Sequence, residues 1–248
     1  MKPFLLTGKR ILVTGASSGI GRACAICAAE LGATVVLTGR RHEALEETLS
    51  RCKGDDHLLI SGDITSPSFV KDLADKGDKI DGLVHAAGIA PMCPVGMLTI
   101  EHVENVLRTN YCSFMELMKY YSKNKYRNSA LSVVAVSSVS AVCGWGGGGV
   151  YCGSKGALSA SVRALAIELA PKGVRVNAVC PSNIKTPLYE SGALDMNDDA
   201  SLKELLKKQP LGLGEPEQVA WPICFLLSDA ASFITGVELP VDGGYLAQ

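Results

Sequence analysis

The feature that most constrains this chain is a glycine-rich turn near the N-terminus, set between an apolar run and a helical pattern. Residues 11–14 read Ile-Leu-Val-Thr, a β-branched run that predicts a strand, and residues 15–21 read Gly-Ala-Ser-Ser-Gly-Ile-Gly. Apolar residues then recur at helical spacing until Gly32. Glycines let a phosphate group approach the backbone, and the next helix N-terminus offers free N–H groups. The sequence therefore predicts a phosphate-binding turn.

The spacing of this turn narrows the kind of nucleotide site that it forms. Its pattern, T-G-x-x-x-G-x-G, is one residue longer than a strict GxGxxG turn. A Walker turn needs Gly-Lys followed by Ser or Thr, whereas Arg22 follows Gly21 in this chain. The sequence therefore favours a dinucleotide fold over a Walker-type nucleotide site.

The end of the second predicted strand, residues 33–38, indicates which dinucleotide is bound. An acidic residue at this place binds the ribose 2′-hydroxyl of NAD, whereas Arg accommodates the 2′-phosphate of NADP. Gly39 takes the place of the acid, and Arg40 and Arg41 follow. Two arginines that serve only as surface residues are disfavoured at a helix N-terminus. We predict NADP(H), with Arg40 ahead of Arg41, and NAD(H) as the less favoured alternative.

Strand and helix patterns continue to alternate along the chain, without an internal repeat or a linker. Further strands are predicted at residues 57–61, 81–85, 131–136, 174–179 and 237–241. We therefore predict an α/β fold, a single Rossmann-like doubly wound parallel sheet of about seven strands with helices on both faces, as one domain over residues 1–248.

Three of the intervening segments carry more specific predictions. One long helix is expected from Thr99 to about Lys123. Residues 182–214 are polar and rich in Gly and Pro, which predicts a substrate flap with a short helical piece near residues 202–207. A last helix is expected from Glu215 to about Leu227, kinked or interrupted at Pro222.

Composition excludes several classes of protein. Lys and Arg number 24 against 25 Asp and Glu, so no basic excess favours nucleic acid or an anionic membrane. No apolar run approaches the ~18 residues of a membrane span, and the N-terminal apolar run is too short for a signal peptide. We expect a cytoplasmic protein with no nucleic-acid or membrane partner.

Metal and thiol chemistry also find little support in the sequence. The nine cysteines are scattered, and the four histidines have no ligand spacing, so no protein-bound metal is predicted. Cys24 and Cys27 lie in a helical pattern and are expected to be two buried thiols. Cys152 is either a reactive thiol or, the favoured interpretation, a small space-filling residue.

Tyr151 and Lys155 are the candidate proton-transfer pair. Residues 150–170 carry a helical apolar stripe, so these two side chains, four residues apart, share one face. A nearby ammonium favours the phenolate over the phenol, whose ordinary pKa is about 10. Alone, the pair also fits a helix edge with a half-buried Tyr and a solvated Lys. The placement of Ser138 after a predicted strand, where parallel sheets bind ligands, favours a site.

Taken together, these residues resemble the short-chain dehydrogenase/reductase family over the whole chain. Residues 14–21 match its TGxxxGIG turn, residues 86–88 match most of its NAAG motif, and residues 242–244 match its C-terminal Asp-Gly-Gly. The resemblance implies a catalytic tetrad of Asn110, Ser138, Tyr151 and Lys155. It also implies cofactor contacts from Gly15, Ser17, Ser18, Gly19, Ile20, Gly21, Arg40, Arg41, Asp63, Ile64, Ala87, Gly88, Tyr151, Lys155, Pro181, Ile184 and Thr186.

The resemblance assigns a role to each member of the tetrad. Tyr151 would donate a proton to a carbonyl oxygen as hydride arrives at carbon, and Ser138 would hydrogen-bond the same oxygen. Lys155 would lower the pKa of Tyr151 and bind the nicotinamide ribose. Asn110 would hold a water that joins Lys155 to solvent.

The leading hypothesis is an NADPH-dependent ketone or aldehyde reductase, similar to 3-oxoacyl-acyl carrier protein reductases. Its substrate would be a small-molecule carbonyl compound, either free or carried as an acyl chain. One alternative is an alcohol, sugar or steroid dehydrogenase. Another is a non-catalytic NADP-binding regulator, although such members usually lose Tyr or Lys. The resemblance also implies a homotetramer or homodimer formed through the two long helices.

Three departures from the family pattern bear on the site. His85 replaces the Asn of NAAG, which braces the central sheet in the family, and His can also donate one hydrogen bond and accept another. Ser182 replaces a Gly near the nicotinamide, which raises the question of backbone shape there. The run Gly146 to Gly149 beside Trp145 predicts either a substrate wall formed by the indole or a tight bare loop.

Overall fold

The seven predicted strands form one parallel sheet. The computed structural model describes residues 4–190 and 207–248, and the strand order is β3-β2-β1-β4-β5-β6-β7. All six neighbouring pairs are parallel, which confirms the predicted Rossmann-like sheet. The strands are β1 (Arg10–Thr14), β2 (Thr34–Gly39), β3 (Leu58–Ser61), β4 (Ile80–His85), β5 (Arg127–Val136), β6 (Val174–Pro181) and β7 (Glu238–Val241).

Helices cover both faces of the sheet, as the doubly wound prediction requires. Along β1, Ile11 and Val13 join one buried cluster and Leu12 joins the other, because successive strand side chains point to opposite faces. The described helices are α1 (Gly19–Glu30), α2 (His42–Ser50), α3 (Pro67–Lys76), α4 (Ile100–Leu107), α5 (Ser113–Tyr121), α6 (Gly149–Leu169), α7 (Pro187–Glu190) and α8 (Pro216–Leu227).

The long helix predicted from Thr99 to Lys123 is not a single α-helix. A π-helical turn, Arg108–Cys112, separates α4 from α5 and contains Asn110. Leu107 before the turn and Ser113 after it both have helical backbone angles, so the chain stays helical through the turn. The turn places Asn110 in the buried interior, and it corrects the expectation of one continuous helix.

The last helix is not interrupted at Pro222, because α8 runs from Pro216 to Leu227, while the alternative of a kink stays a prediction. Its buried residues include Ala220 and Ile223, on either side of Pro222. Packing of this face against α1 holds the helix together. Most of the predicted flap, and its helical piece near residues 202–207, lies outside the described residues.

The cysteine predictions can be compared directly with the structure. Cys24 and Cys27 are both buried in α1, as expected. Burial raises the pKa of Cys27 to about 12, so its reactive thiolate is scarce at neutral pH. All nine cysteines lie in the described ranges and are free thiols.

Residues 4–190 and 207–248 contain no helix that combines the length and apolar character needed to cross a membrane. The same residues contain no group of three or more His, Cys, Asp or Glu side chains arranged to hold a metal ion. The predicted lack of a metal stays a prediction.

Candidate functional site

A single cavity of about 940 Å³ brings together most of the residues singled out in the sequence. It lies where β1, β2, β4, β5 and β6 end, which is where open parallel sheets bind ligands. Asn110 is the one predicted site residue that does not line it. Those that do are Gly15, Ser17, Ser18, Gly19, Ile20, Gly21, Arg40, Arg41, Asp63, Ile64, Ala87, Gly88, Ser138, Tyr151, Lys155, Pro181, Ile184 and Thr186.

The glycine turn packs tightly against itself and its neighbours because its three glycines carry no Cβ. A Cβ on Gly15, whose φ is +67°, would lie 2.9 Å from the Ala86 carbonyl, and one on Gly21 would overlap the Gly15 carbonyl oxygen. At Gly19, a Cβ would point at Thr186, 3.1 Å from its methyl carbon. This bare cradle fits the pyrophosphate of a dinucleotide.

The N-terminus of α1 is free to bind an anion. Ser18 is its N-cap residue, yet its side chain makes no capping hydrogen bond, and no acidic residue occupies the first turn. The first N–H groups of the helix therefore have no partner from the cap side chain. Together with the positive end of the helix dipole, they complement a negatively charged pyrophosphate.

The two arginines directly follow β2, and Arg41 contacts the glycine turn. One nitrogen of the Arg41 guanidinium donates to Ser17 Oγ at 3.2 Å and to Ser18 Oγ at 3.1 Å. Arg40 acts on Asp63, whose pKa is lowered first by the Thr65 backbone N–H and in smaller part by the Arg40 charge. The ranking of Arg40 over Arg41 stays a prediction, while the geometry sets Arg41 directly on the turn.

Ser138 and Tyr151 meet where β5 ends and α6 begins. The Ser138 hydroxyl oxygen accepts a hydrogen bond from the Ser140 N–H at 3.1 Å and lies 3.4 Å from the Pro181 carbonyl oxygen. Burial raises the pKa of Tyr151, and a hydrogen bond with the Ser138 side chain partly opposes the shift. Tyr151 is therefore a protonated phenol at neutral pH, the form that a proton donor requires.

Lys155 is buried one helical turn from Tyr151. Its Nζ donates to the Val136 carbonyl oxygen at 2.8 Å and lies 5.8 Å from the centre of the Tyr151 ring. Burial lowers the pKa of Lys155 to about 8. The sequence argument expected Lys155 to lower the pKa of Tyr151, and in this structure the opposite shift prevails. The reason is that burial of the phenol dominates while the ammonium is held by Val136.

Asn110 lies behind the cavity rather than in it. Its two amide protons go to the Ile89 carbonyl and to Ser154 Oγ, both at 2.9 Å, and its Oδ1 accepts the Ile89 N–H at 2.8 Å. The side chain therefore clamps the segment after β4 to the first turns of α6. Its role in holding a water stays a prediction.

The replacement at Ser182 leaves the backbone unstrained. In the described ranges only Asp56 and Asp78 have a positive φ among non-glycine residues, so Ser182 does not need the freedom of glycine. Its Oγ lies 2.8 Å from Gln209 Oε1 and 2.9 Å from the Asp242 carbonyl oxygen. The hydroxyl thus ties the end of β6 to the C-terminal Asp-Gly-Gly segment.

The glycine run beside Trp145 serves to seat large side chains. A Cβ on Gly148 would overlap the indole of Trp145, and one on Gly147, with φ +78°, would lie 2.6 Å from Met92 Cγ. The indole lines the cavity, with its ring centre 6.3 Å from that of Tyr151. Of the two interpretations offered by the sequence, this geometry supports the substrate wall.

Several residues that line the cavity were not identified from the sequence. Most come from loops and from the C-terminal tail, where no periodic pattern reports burial or orientation. Asn105 lies in α4, Thr109 in the π-helical turn, and Leu188 and Tyr189 in α7. The only available signal was the position of Tyr245 directly after the Asp-Gly-Gly motif. These residues are Ile89, Ala90, Met92, Asn105, Thr109, Cys143, Asn183, Leu188, Tyr189, Lys208 and Tyr245.

Comparisons with known proteins show what the whole chain is similar to. A family profile described as enoyl-(acyl carrier protein) reductase matches residues 15–246. The chain is 34% identical to an L-rhamnose 1-dehydrogenase (NAD(P)(+)) of a Sphingomonas species, over 97% of each protein. It is also 34% identical to a 3-oxoacyl-[acyl-carrier-protein] reductase of Rickettsia conorii, over 97% of this chain and 98% of the relative.

A solved structure shows the same similarity in three dimensions. It comes from Beutenbergia cavernae and is assigned as an NAD(P)-dependent gluconate 5-dehydrogenase with NADP bound at low occupancy. It matches with a TM-score of 0.91 at 32% identity, over 99% of this chain and 100% of that chain. The resemblance inferred from the motifs is thereby confirmed: the chain belongs to the short-chain dehydrogenase/reductase family and is an oxidoreductase that acts on CH–OH and C=O groups.

Proposed function

We propose that this protein is an NADP(H)-dependent reductase that converts a ketone, most favourably a 3-oxoacyl compound, to a secondary alcohol. The observation that carries this proposal is the protonated Tyr151 beside Ser138 and Lys155, in a cavity continuous with the glycine cradle. The apolar side chains of Met92, Trp145 and Leu188 line the same cavity and suit an acyl chain.

Each catalytic side chain has a distinct task in this proposal. NADPH, when bound, supplies the hydride. Tyr151 transfers its phenolic proton to the carbonyl oxygen, and Ser138 donates a hydrogen bond to the same oxygen as negative charge develops there. With a pKa of about 8, Lys155 carries its charge at neutral pH and stabilises the phenolate that remains. Asn110 keeps the segments around Lys155 in register.

The preference for NADP(H) rests on the charges at the adenosine end. Arg40 and Arg41 line this end, and Asp63 is the one carboxylate among the described residues of the cavity. No acidic residue occupies the position of Gly39, at the end of β2, to bind a ribose 2′-hydroxyl. Two cations are therefore available to bind a 2′-phosphate, whereas an unphosphorylated ribose has no negative charge to pair with them.

A second candidate function is that of a sugar or polyol dehydrogenase. The indole face of Trp145 beside Tyr151 suits the apolar C–H face of a sugar ring as well as it suits an acyl chain. The similarity to an L-rhamnose 1-dehydrogenase also supports this candidate. A non-catalytic regulator is the weakest alternative, because Tyr151 and Lys155 are both kept.

A substrate panel separates the candidates. Purified protein would be assayed with NADPH and NADH against 3-oxoacyl thioesters and ketoses, and with NADP⁺ and NAD⁺ against aldoses and sugar acids. The proposal predicts the highest kcat/KM for a 3-oxoacyl thioester with NADPH. Higher kcat/KM for sugars would select the dehydrogenase. Binding of NADPH without turnover of any member would instead favour the regulator.

The assembly and location of the protein are part of the same proposal. Ile100 on α4, Ile167 on α6 and Phe233 before β7 are exposed apolar side chains. Exposed apolar side chains that form a contiguous patch mark contacts between subunits. We expect a cytoplasmic homotetramer or homodimer, and light scattering with the purified protein would report a monomer if this is wrong.

A further inference from the structure

The described part of the cavity contains a cation that the proposed mechanism does not use. The charged side chains in its lining are Arg40, Arg41, Asp63, Lys155 and Lys208. The two arginines and Asp63 lie at the adenosine end, and Lys155 belongs to the proposed catalytic group. Lys208 is therefore the described charge of the cavity that still lacks a task.

Lys208 lies on the side of the cavity that also holds Tyr245 and Cys143. Its backbone carbonyl oxygen accepts a hydrogen bond from the Gln248 side chain at 2.9 Å, which ties it to the C-terminal segment that contains Tyr245. Burial and then the neighbouring Cys152 raise the pKa of Cys143, and the Lys208 charge partly opposes the shift. The ammonium and the thiol are therefore close to each other.

This side of the cavity adjoins the proposed reacting groups. The backbone N–H of Cys143 donates to the Val139 carbonyl oxygen at 3.1 Å, in the turn that directly follows Ser138. The charge of Lys208 therefore acts at the end of the cavity that holds Ser138 and Tyr151. A substrate whose carbonyl group lies at Tyr151 has a cation on the wall beside it.

The residue after Lys208 anchors this stretch of backbone. Gln209 is buried, and its Oε1 accepts the Asn183 N–H at 3.3 Å and lies 2.8 Å from Ser182 Oγ. Its Nε2 donates to the Asn183 carbonyl oxygen at 3.2 Å and also to the Gly212 carbonyl oxygen. Because the buried amide is fully bonded, it fixes the chain beside Lys208 relative to the end of β6.

A carboxylate is the group that fits this wall best. Within residues 4–190 and 207–248, the Lys208 ammonium forms no ion pair with a carboxylate, and Lys208 is exposed to solvent. It offers one positive charge and three N–H donors, and the Tyr245 hydroxyl on the same side is a further donor. One cation balances a monoanion, whereas a phosphate usually engages several cations or helix N–H groups.

We propose that Lys208 is a specificity-determining residue that pairs with a carboxylate on the carbonyl substrate. The substrate is then an oxo acid whose carbonyl group lies at Tyr151 and whose carboxylate lies near Lys208 and Tyr245. Lys208 takes no part in the transfer of the hydride or the proton. The inference rests on the proposed function, and it holds for a 3-oxo acid as well as for an oxidised sugar acid, since both carry a carboxylate.

Kinetics would compare substrates that differ only in this charge. Wild-type protein and Lys208→Met would be assayed with NADPH and with 3-oxo, 4-oxo and 5-oxo acids, each paired with its methyl ester. For at least one pair, we expect the wild-type kcat/KM to be about tenfold higher for the acid than for the ester. Lys208→Met should lose most of this ratio, mainly through a higher KM for the acid.

Two further variants show whether the charge itself is responsible. Lys208→Arg keeps the charge, so its acid-to-ester ratio should stay within about threefold of the wild type. Lys53→Met removes an exposed lysine outside the cavity lining and should leave the ratio unchanged. A wild type without preference for any acid, an unchanged ratio in Lys208→Met, or equal losses in Lys208→Arg and Lys208→Met would each overturn the inference.

Binding separates this inference from the proposed function. Calorimetry would measure the Kd of each oxo acid for the NADP⁺-loaded protein, with circular dichroism to verify that each variant is folded. We expect Lys208→Met to raise the Kd of the preferred acid about tenfold. An unchanged Kd would overturn the inference. If the wild-type protein reduces no carbonyl compound, the proposed function fails, while a Kd that depends on Lys208 still supports the carboxylate site.

Discussion

The two ends of the cavity use different parts of the chain, with backbone groups at one end and side chains at the other. At the nucleotide end, the glycine turn and the N-terminus of α1 present backbone N–H groups, and the glycines matter because a Cβ would collide with Ala86 or with the turn itself. At the other end, the proposed catalytic end, side chains would do the chemistry, with Ser138, Tyr151 and Lys155 held by β5 and α6. Substitutions at the first end should act through backbone shape and cofactor affinity. Those at the second should act on turnover.

The largest expected effect is at the catalytic end. Tyr151→Phe removes the proton donor but keeps the ring, so kcat for carbonyl reduction should fall about 1000-fold, within the range of general acid catalysis. The dissociation constant for NADPH, measured by fluorescence titration, should change little. Tyr111→Phe is the control, because it removes a hydroxyl that accepts a hydrogen bond from Ser161 and that lies outside the cavity lining. Wild-type kcat in Tyr151→Phe would refute the catalytic assignment.

The matching test at the nucleotide end is Gly21→Ala. The new methyl group would overlap the Gly15 carbonyl oxygen, so we expect a loss of about 1–3 kcal/mol in the free energy of unfolding. NADPH binding should weaken in parallel, since the turn must open. Denaturant unfolding and cofactor titration measure both effects.

Gly153→Ala provides the control for this substitution. It lies in α6, where a Cβ would meet nothing within 4 Å, so alanine should stabilise the helix by about 0.5–1 kcal/mol. Equal destabilisation by the two alanines would show that the turn is no tighter than an ordinary helix. The contrast between backbone and side-chain construction would then fail.

Substitutions at Arg40 and Arg41 test whether side chains, as well as backbone groups, determine which cofactor binds at the nucleotide end. Arg41→Ser should reduce the kcat/KM ratio of NADPH over NADH about tenfold, because one charge-assisted hydrogen bond to the 2′-phosphate is lost. Arg40→Ser tests the ranking made from the sequence. If neither substitution alters the ratio, the proposed NADP(H) preference is wrong.

The smallest expected effect concerns the substrate wall. Gly148→Ala would push the indole of Trp145 from its seat, and KM for the carbonyl substrate should rise about threefold to tenfold, as expected for lost apolar contact. Gly149→Ala is the neighbouring control, because its Cβ would meet nothing within 4 Å. An identical KM in both variants would argue that Trp145 does not contact the substrate.

The sequence predicted the nucleotide end of the cavity better than the catalytic end. Strand runs and the glycine spacing depend on local backbone preferences, so the sheet and the cradle could be read from them. The pKa of Tyr151 could not, because burial raises it and the Ser138 hydrogen bond, rather than Lys155 four residues away, provides the opposing effect. Met92 and Tyr245 reach the cavity from a loop and the C-terminal tail, and no periodic pattern reports such positions.

The π-helical turn between α4 and α5 was also not predicted, because no Gly or Pro marks it in the sequence and the residues that flank it keep helical backbone angles. A π turn contains one residue more than an α turn, so it shifts the phase of the helix by about 100°. That shift turns Asn110 inward while α5 still buries Phe114, Leu117 and Tyr121. Deleting one residue within Arg108–Cys112 would restore a regular α-helix and rotate α4 against α5. The position of Asn110 thus depends on the residue count of this segment as much as on its chemistry.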